Sequence, residues 1–369
     1  MSKIKLNLII ISCLLIQATY SMAVTDESQF FDLVSRGNQM DWIGKRLTVG
    51  WTKDRCIAFE SMVINKVPDI RYSRLVLPYR KEANRPQTGK RSHRRRGERK
   101  EQPGRQKEPF DPRSIKIVTA DILLQHQKLI RDNYQLQLVE ENETICWRDS
   151  KLWSIKPRNP NRNRLFKVWI DSETGILLRV EIKGQRNQWL SFLTQIQFDP
   201  QSILEEITQF KALEAGDKKQ ESRFVSRSEA EKALKRELIL PERFPSGFKI
   251  SQIELMDLSP TPAAHIRYTD GLETISVFQN QGRRLSRRDR RDRDLDSHDK
   301  DGNTVVPDKK RGRRNNIRKE KISDVQVTIM DRTDVHIYRW TRDSVNFTLI
   351  GSLPESEMAQ IVESFINNP

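Results

Sequence analysis

Two segments that are rich in arginine and nearly free of apolar residues limit how this chain can fold. Residues 80–108 carry 12 Lys and Arg against 4 Asp and Glu, and residues 282–321 carry 16 against 8. They account for the whole formal charge of +16, so the rest of the 369-residue chain is neutral. Segments of this composition cannot bury enough apolar surface to form a core. We therefore predict disordered insertions at about 80–114 and 281–322 in an otherwise folded, neutral body.

The same two segments bear on which partners the chain can bind. Neither segment interleaves aromatic residues with its basic residues, as a surface that stacks nucleobases requires. Nucleic-acid binding is therefore not expected as the main function, although basic segments attract phosphate non-specifically. In an exported protein, anionic lipid headgroups at a membrane surface or polyanionic envelope sugars are better counterparts than nucleic acid, and solvated loops without a partner are an equal alternative.

The N-terminus has the pattern of a secretory signal peptide. Lys3 and Lys5 precede the apolar run LNLIIISCLLI, and Ser21 and Ala23 supply a small-x-small cleavage site. The run is too short to span a bilayer easily, so a retained anchor is the weaker alternative. We predict a signal peptide at 1–23 and export of the mature chain; the family resemblance described below implies that it resides in the periplasm.

The mature chain keeps two of the three cysteines, Cys56 and Cys146. An oxidising compartment permits a disulfide between them. Two buried thiols are the alternative, because the sequence does not fix the distance between the two residues.

Hydrophobic periodicity predicts an α+β fold in two parts. The first part reads as a curved antiparallel sheet with one or two helices, and its clearest hairpin has a turn at Asp171–Gly175. Such a sheet can enclose an apolar cavity, although the tryptophans can equally be ordinary core residues. Strand alternation gives the candidate lining residues as Val49, Trp51, Phe59, Trp153, Trp169 and Leu178.

The second part begins at a capping box formed by Ser226 and Glu229. Strands follow, and the chain ends in a helix with one apolar face. The stretch HIRYTDGLETISVFQ, residues 265–279, predicts a β-hairpin in which Asp270 and Gly271 form the turn. No nucleophile, base or ligand set accompanies Asp270, so we interpret it as a turn residue and His265 as part of the scaffold.

Several motifs in order resemble one family. YTDGLETISVFQ is similar to the YSDGL…SVF hairpin in the C-terminal domain of the RseB/MucB family of periplasmic regulators of envelope-stress sigma factors. LPERFPSGFKI resembles the opening of that domain, and VHIYRWTRDSVNFTLIGSLPESEMAQIVESF resembles its closing strands and helix. In the first half, LLQHQKLIRDNYQLQL and SIKPRNPNRNRLFKVWIDSETGILLRVEI resemble two further family signatures. Both arginine-rich segments are foreign to the family pattern.

The resemblance implies a LolA/LolB-like half-barrel at 24–210, a linker at 211–225 and a smaller antiparallel-sheet α+β domain at 226–369. It implies a regulator that binds the periplasmic segment of a membrane anti-sigma factor and shields that segment from proteolysis. It also implies a cavity that senses lipid or lipopolysaccharide.

Two other classes of function are weighed against this regulator. A periplasmic carrier of lipid or lipoprotein would share the half-barrel, but simple carriers of that fold lack a second domain. An exported hydrolase would need a motif such as G-x-S-x-G or H-E-x-x-H, and the sequence has neither. We therefore expect no enzyme activity, no cofactor and no metal site.

Overall fold

The structure is a computed structural model in which most of the chain outside the N-terminus and the arginine-rich segments is described. The described residues are 26–52, 55–68, 70–79, 118–184, 187–214, 223–241, 244, 247–256, 262–281, 316–331 and 335–367. The predicted signal peptide, most of both predicted insertions and residues 215–222 lie outside these ranges.

The chain divides into two compact units, and each unit is built from three separate segments of the sequence. Unit 1 comprises Met1–Asp121, Gln137–Ser154 and Leu165–Ala212. Unit 2 comprises Ile122–Leu136, Ile155–Arg164 and Leu213–Pro369. Two short segments of the first half thus belong to the same unit as the C-terminal half.

The first antiparallel sheet has eight strands in the order β3-β2-β1-β8-β7-β6-β5-β4. Most of its residues are in unit 1, and the start of β4 and the end of β5 fall in unit 2. The strands are β1 Trp42–Thr52, β2 Arg55–Lys66, β3 Ile70–Tyr79, β4 Tyr134–Ile145, β5 Arg148–Pro157, β6 Leu165–Asp171, β7 Leu177–Lys183 and β8 Asn187–Gln197. The predicted β6–β7 hairpin is confirmed, with Leu165 paired to Lys183 at its open end.

The helices of the first half are α1 (26–38), α2 (Ala120–Gln125), α3 (Gln127–Asn133) and α4 (Pro200–Glu214). In unit 1, α1 buries Phe30 edge-on against Trp153, with ring centroids 5.3 Å apart. α4 packs Ile203 and Ile207 against Ile43 and Ile64. Two short helices, α2 and α3, follow each other here and are separated by one residue, His126, whose φ of −110° departs from the helical value.

The second antiparallel sheet lies in unit 2 and also has eight strands, in the order β13-β14-β15-β16-β12-β11-β10-β9. The strands are β9 Arg223–Phe224, β10 Lys249–Met256, β11 Ala263–Thr269, β12 Thr274–Gln281, β13 Asn316–Ile322, β14 Val325–Asp331, β15 His336–Arg342 and β16 Val345–Gly351. Burial alternates strictly along β16, so every second side chain enters the core. The predicted α+β class is therefore confirmed.

Two helices complete the C-terminal half. α5 (Arg227–Leu234) begins at the predicted capping box, in which the Ser226 side chain accepts from the Glu229 amide and the Glu229 carboxylate accepts from the Ser226 amide. α6 (Glu355–Ile366) buries one apolar face in the unit 2 core. Its Phe365 lies near the stacked pair Trp340 and Phe347, whose ring centroids are 4.9 Å apart.

Two predicted boundaries differ from the structure. Residues 316–322 were placed in the second insertion, but they form β13 and pair with β14 from Asn316 to Ile322. The predicted linker at 211–225 includes the end of α4, which continues to Glu214, and also β9. An edge strand with one partner needs little apolar sequence, which is why the Arg- and Lys-rich β13 was missed.

Candidate functional site

A buried group of charged side chains occupies unit 2, and we call it the Arg162 cluster. Its members are Arg162, Asp270, Glu357 and Tyr134. Arg162 Nη1 lies 2.5 Å from Asp270 Oδ2, and Arg162 Nε lies 2.9 Å from Glu357 Oε2. The side chain of Arg162 is 3% exposed and that of Asp270 is 0% exposed. The Tyr134 hydroxyl donates to Asp270 Oδ2 at 2.8 Å.

Asp270 has two roles, and each of them uses a different carboxylate oxygen. Its Oδ1 accepts from the amides of Leu272, at 3.1 Å, and Glu273, at 2.8 Å, which closes the β11–β12 loop. Its Oδ2 faces Arg162 and Tyr134. The predicted hairpin is thus confirmed, with Thr269 paired to Thr274. Gly271 has φ +114°, and a Cβ there would come within 2.7 Å of Ile130 Cγ1, so this turn requires glycine.

A second ion pair lies beside the cluster. Arg164 Nη1 is 2.6 Å from Glu273 Oε1 and 2.9 Å from Ser352 Oγ. Burial raises the pKa of the Glu273 carboxyl, and the charge of Asp270 adds to this while Arg164 opposes it. Burial together with the charge of Asp270 also raises the pKa of the Tyr134 hydroxyl, which therefore stays protonated as a donor.

The cluster ties four parts of unit 2 together. Tyr134 follows α3, Arg162 lies in the loop before β6, Asp270 is in the β11–β12 turn and Glu357 is in α6. Asn133 adds hydrogen bonds from its Nδ2 to the carbonyl oxygens of Asp270, at 3.0 Å, and Gly247, at 3.3 Å. Each charge is paired within the cluster, so its chemistry is that of an internal clamp rather than of an exposed reactive group.

Unit 1 contains a partly apolar cavity of about 170 Å³. Its lining includes Trp42, Arg46, Val63, Ile176 and Leu177, together with the first residues of α2. Burial lowers the pKa of Arg46 to about 10, and it is the only cause acting on that pKa. Arg46 thus remains protonated at neutral pH, its side chain is partly buried, and Asp121 lines the same cavity.

The six predicted cavity residues occupy both faces of the first sheet. Val49 and Trp51 lie on the same face of the sheet as Leu47, which pairs with Phe192. Phe192 pairs with Arg179, and Arg179 pairs with Trp169, so Trp169 lies on that face too. Phe59 pairs with Thr48 and lies on the opposite face, where Leu178 packs with Trp42 and Leu193. Trp153 is fully buried against Phe30.

These six residues therefore cannot all line one cavity. None of them lines the cavity beside Arg46 or the second described cavity, which lies between the first sheet and α4. Strand alternation in the sequence gives the spacing of a face, but it does not say which face is enclosed. Arg46 was missed because nothing local marks a basic residue in a strand as a cavity residue.

The two mature cysteines do not form the disulfide that the sequence permitted. Both are free thiols; Cys56 is exposed in β2, and Cys146 is half-buried in the β4–β5 turn. Six strand positions separate β2 from β4 in the sheet order. A disulfide requires Cα atoms only about 4.4–6.8 Å apart, less than the width of two strand spacings. Neither thiol is fully buried, so the alternative prediction is wrong as well.

The described ranges also bear on whether the chain could cross a membrane or hold a metal ion. None of the helices there has the length and apolar content needed to cross a bilayer. In the same part of the chain, no three His, Cys, Asp or Glu side chains are grouped so that they could hold a metal ion.

One protein-family model matches a central part of the chain. Residues 90–215 match the family model described as the MucB/RseB N-terminal domain. This match supports the resemblance to the RseB/MucB family that the sequence motifs predicted. Among curated proteins, none matches the chain.

Three solved structures show weaker similarity. The chain is 14% identical to MucB in its complex with MucA(peri), with a TM-score of 0.41 and coverage of 92% of this chain and 97% of that one. The Pseudomonas aeruginosa MucA/MucB complex is 13% identical, with a TM-score of 0.43 and coverage of 91% of this chain and 96% of that one. An outer-membrane lipoprotein-sorting domain from Vibrio parahaemolyticus matches 49% of this chain and 98% of its own, at 7% identity and a TM-score of 0.19.

Proposed function

We propose that this protein is an exported regulator that binds the periplasmic segment of a membrane anti-sigma factor and shields it from proteolysis. The match of residues 90–215 to the MucB/RseB N-terminal domain carries this proposal. The order of the C-terminal motifs, from the 240–250 segment through the β11–β12 hairpin to α6, supports it independently of the matched residues. MucB itself is known in complex with MucA.

The folded body, rather than the arginine-rich segments, supplies the specific binding surface in this proposal. The body has no net charge, whereas each segment carries a large positive excess. Exposed charges mainly change the association rate and its salt dependence, and less the contacts that hold a complex together.

We expect a protein lacking residues 82–108 and 283–312 to keep its fold and to bind the exported segment of its cognate anti-sigma factor. The deletion leaves β13 intact, and short Gly-Ser linkers replace the removed residues. Binding is measured by calorimetric titration at about 50 and about 300 mM salt, spanning the range over which screening of exposed charges changes. The deleted protein should show the weaker salt dependence.

The control is the full chain titrated with the same segment in scrambled order. If the deletion abolishes binding while the melting curve stays cooperative, the arginine-rich segments carry the activity and the proposed function is wrong. If neither protein binds the segment but both bind lipid, the carrier class is favoured instead.

Lipid sensing is the second part of the proposal, and the cavity beside Arg46 supports it. The partly buried guanidinium of Arg46, next to Trp42, Val63 and Ile176, suits a ligand with an anionic head and a short apolar part. The volume of about 170 Å³ is below that of a typical drug-sized pocket, so it fits a head group or a chain end rather than a whole lipid.

We expect dihexanoyl phosphatidic acid, used below its micelle concentration, to change the tryptophan fluorescence of the full chain saturably. Arg46→Met should weaken this binding at least tenfold, because hydrogen bonds to charged groups are worth about 1.5–3 kcal/mol. Arg36→Met is the matched control, since Arg36 is exposed on α1. Equal affinities for the two variants, or equal binding of dihexanoyl phosphatidylcholine, would contradict an anion site at Arg46.

A further inference from the structure

Three tight hairpin turns in the structure place two consecutive residues in the left-handed backbone region. The φ values are 55° and 61° at Cys146 and Trp147, 42° and 69° at Ser323 and Asp324, and 50° and 63° at Asp343 and Ser344. Turns of this kind favour Asn, Asp and Gly, since small polar residues tolerate positive φ best. Two of the three turns use Asp and Ser, and the β4–β5 turn alone among them uses a bulky aromatic residue.

Trp147 gains nothing from packing that would offset its backbone conformation. Its side chain is 97% exposed. A positive φ costs an L-residue free energy through the contact between Cβ and the following carbonyl oxygen. Single exposed apolar residues are common on protein surfaces, but an exposed tryptophan in a strained turn is not what selection for stability alone favours.

The turn is held firmly at its base. The Ser150 hydroxyl donates to the Glu143 carbonyl oxygen at 2.5 Å, and the Trp169 indole N–H donates to the Glu143 carboxylate. Arg148 forms a salt bridge with Asp171 and lies 5.5 Å from the centroid of the Phe198 ring. A rigid support lowers the entropy cost of using a side chain as an anchor.

The charges around the turn decide which kind of surface it suits. Glu140, Glu141, Glu143 and Asp149 flank it along β4 and β5, against Arg148 and Lys151. Arg148 is neutralised by Asp171, and the exposed Glu173 lies 3.3 Å from its Nη2. Lys151 lies 3.9 Å from Glu141 and offsets that carboxylate, so Glu140, Asp149 and Glu173 carry the acidic excess. This acidic surround repels anionic lipid, whereas a lysine or arginine side chain is attracted both by the carboxylates and by the face of the indole ring.

We propose that Trp147, at the tip of the β4–β5 hairpin, is an anchor for a positively charged, extended segment of a partner protein. Tryptophan is among the residues that most often dominate the energy of a protein interface. The acidic side chains of β4 steer the basic segment, and the indole ring provides the short-range contact. This inference goes beyond the proposed function, because it concerns the chemistry of the partner and not the partner's identity.

The test compares the full chain with Trp147→Asn, a change that suits the turn. Ser344→Asn, at the same position of the β15–β16 turn, is the matched control. The probe is the peptide KLGKLGKK, with ELGELGEE as its acidic counterpart. Binding is followed by the fluorescence anisotropy of dye-labelled peptides, because Trp147→Asn removes the indole that would otherwise report it. We expect the basic peptide to bind saturably and Trp147→Asn to weaken its binding at least tenfold. Ser344→Asn should bind as the unchanged protein does, and the melting temperature of Trp147→Asn should be equal or higher.

Three results would overturn the proposal. One is equal affinity of Trp147→Asn and the unchanged protein for the basic peptide. Another is equal binding of the acidic peptide. The third is co-sedimentation with vesicles of phosphatidylglycerol and phosphatidylcholine that is lost in Trp147→Asn, which would assign the anchor to a membrane. All three are read without an anti-sigma factor, so the outcome is independent of the proposed function.

Discussion

Replacing Arg162 with methionine is expected to lower the free energy of unfolding by about 3–5 kcal/mol, because breaking a buried ion pair strands the remaining charge. The variant leaves Asp270 and Glu357 buried without their cation, and methionine keeps most of the apolar volume. Urea unfolding of the full chain, followed by circular dichroism, measures the change. A lower midpoint at an unchanged slope would indicate lost stability of the same folded state.

Arg227→Met is the control for this prediction. Arg227 pairs with Glu231 one turn along α5 at 2.8 Å, but its side chain is exposed. Exposed pairs of this kind contribute only about 0.3–0.5 kcal/mol. A loss for Arg162→Met no larger than that for Arg227→Met would contradict the assignment of Arg162 as a clamp.

A rescue experiment separates charge from packing at the same place. Adding Asp270→Asn and Glu357→Gln to Arg162→Met removes all three charges of the cluster, so no unpaired charge stays buried. Asparagine keeps the side-chain oxygen that closes the turn. We expect the triple variant to be more stable than Arg162→Met alone. A triple variant that is less stable would show that lost packing, rather than a stranded charge, dominates.

Gly175→Ala is the second substitution for which we expect a large effect, a loss of about 2–5 kcal/mol. Gly175 ends the β6–β7 turn at φ +80°, and a Cβ there would lie 2.0 Å from the Leu33 carbonyl oxygen of α1. The positive φ costs alanine about 1–2 kcal/mol, and overpacking against backbone adds about 1–3 kcal/mol. Urea unfolding monitored by tryptophan fluorescence measures this loss.

Gly351→Ala is the comparison for this glycine. A Cβ at Gly351 meets the Met358 side chain at 2.9 Å, and that flexible thioether is able to move. We expect a change within about 1 kcal/mol, since alanine also reduces the entropy of the unfolded chain. Similar losses for the two variants would show that α1 yields at Leu33 and that the close approach is not rigid.

The sequence predicts local features of this fold well. The β6–β7 hairpin, the turn at Asp270 and the capping box at Ser226 each depend on residues within a few positions of one another. The Arg162 cluster depends on residues 108 and 195 positions apart, and no local pattern marks Arg162 as different from the other arginines nearby. Asp270 was correctly interpreted as a turn residue, but the sequence did not predict its ion pair with Arg162.

The candidate cavity shows the same limit. Alternation identifies which residues of β1 share a face, as with Val49 and Trp51, but the enclosed face depends on where α1 and α2 pack. β13 was missed for a different reason. Its residues Asn316–Ile322 include four Lys, Arg or Glu side chains in a row, a composition typical of an exposed edge.

The residues of the Arg162 cluster are far apart in the sequence, so they are synthesised at different times. Glu357 is made 195 residues after Arg162. At synthesis rates of about 5–20 residues per second, the arginine waits roughly 10–40 s for its last partner. Unit 2 thus lacks one of the two carboxylates that pair with the buried Arg162 until the final helix has emerged. A premature stop or a proteolytic cut before α6 would leave that arginine beside only one carboxylate. The resulting loss of stability would expose the truncated chain to degradation by proteases.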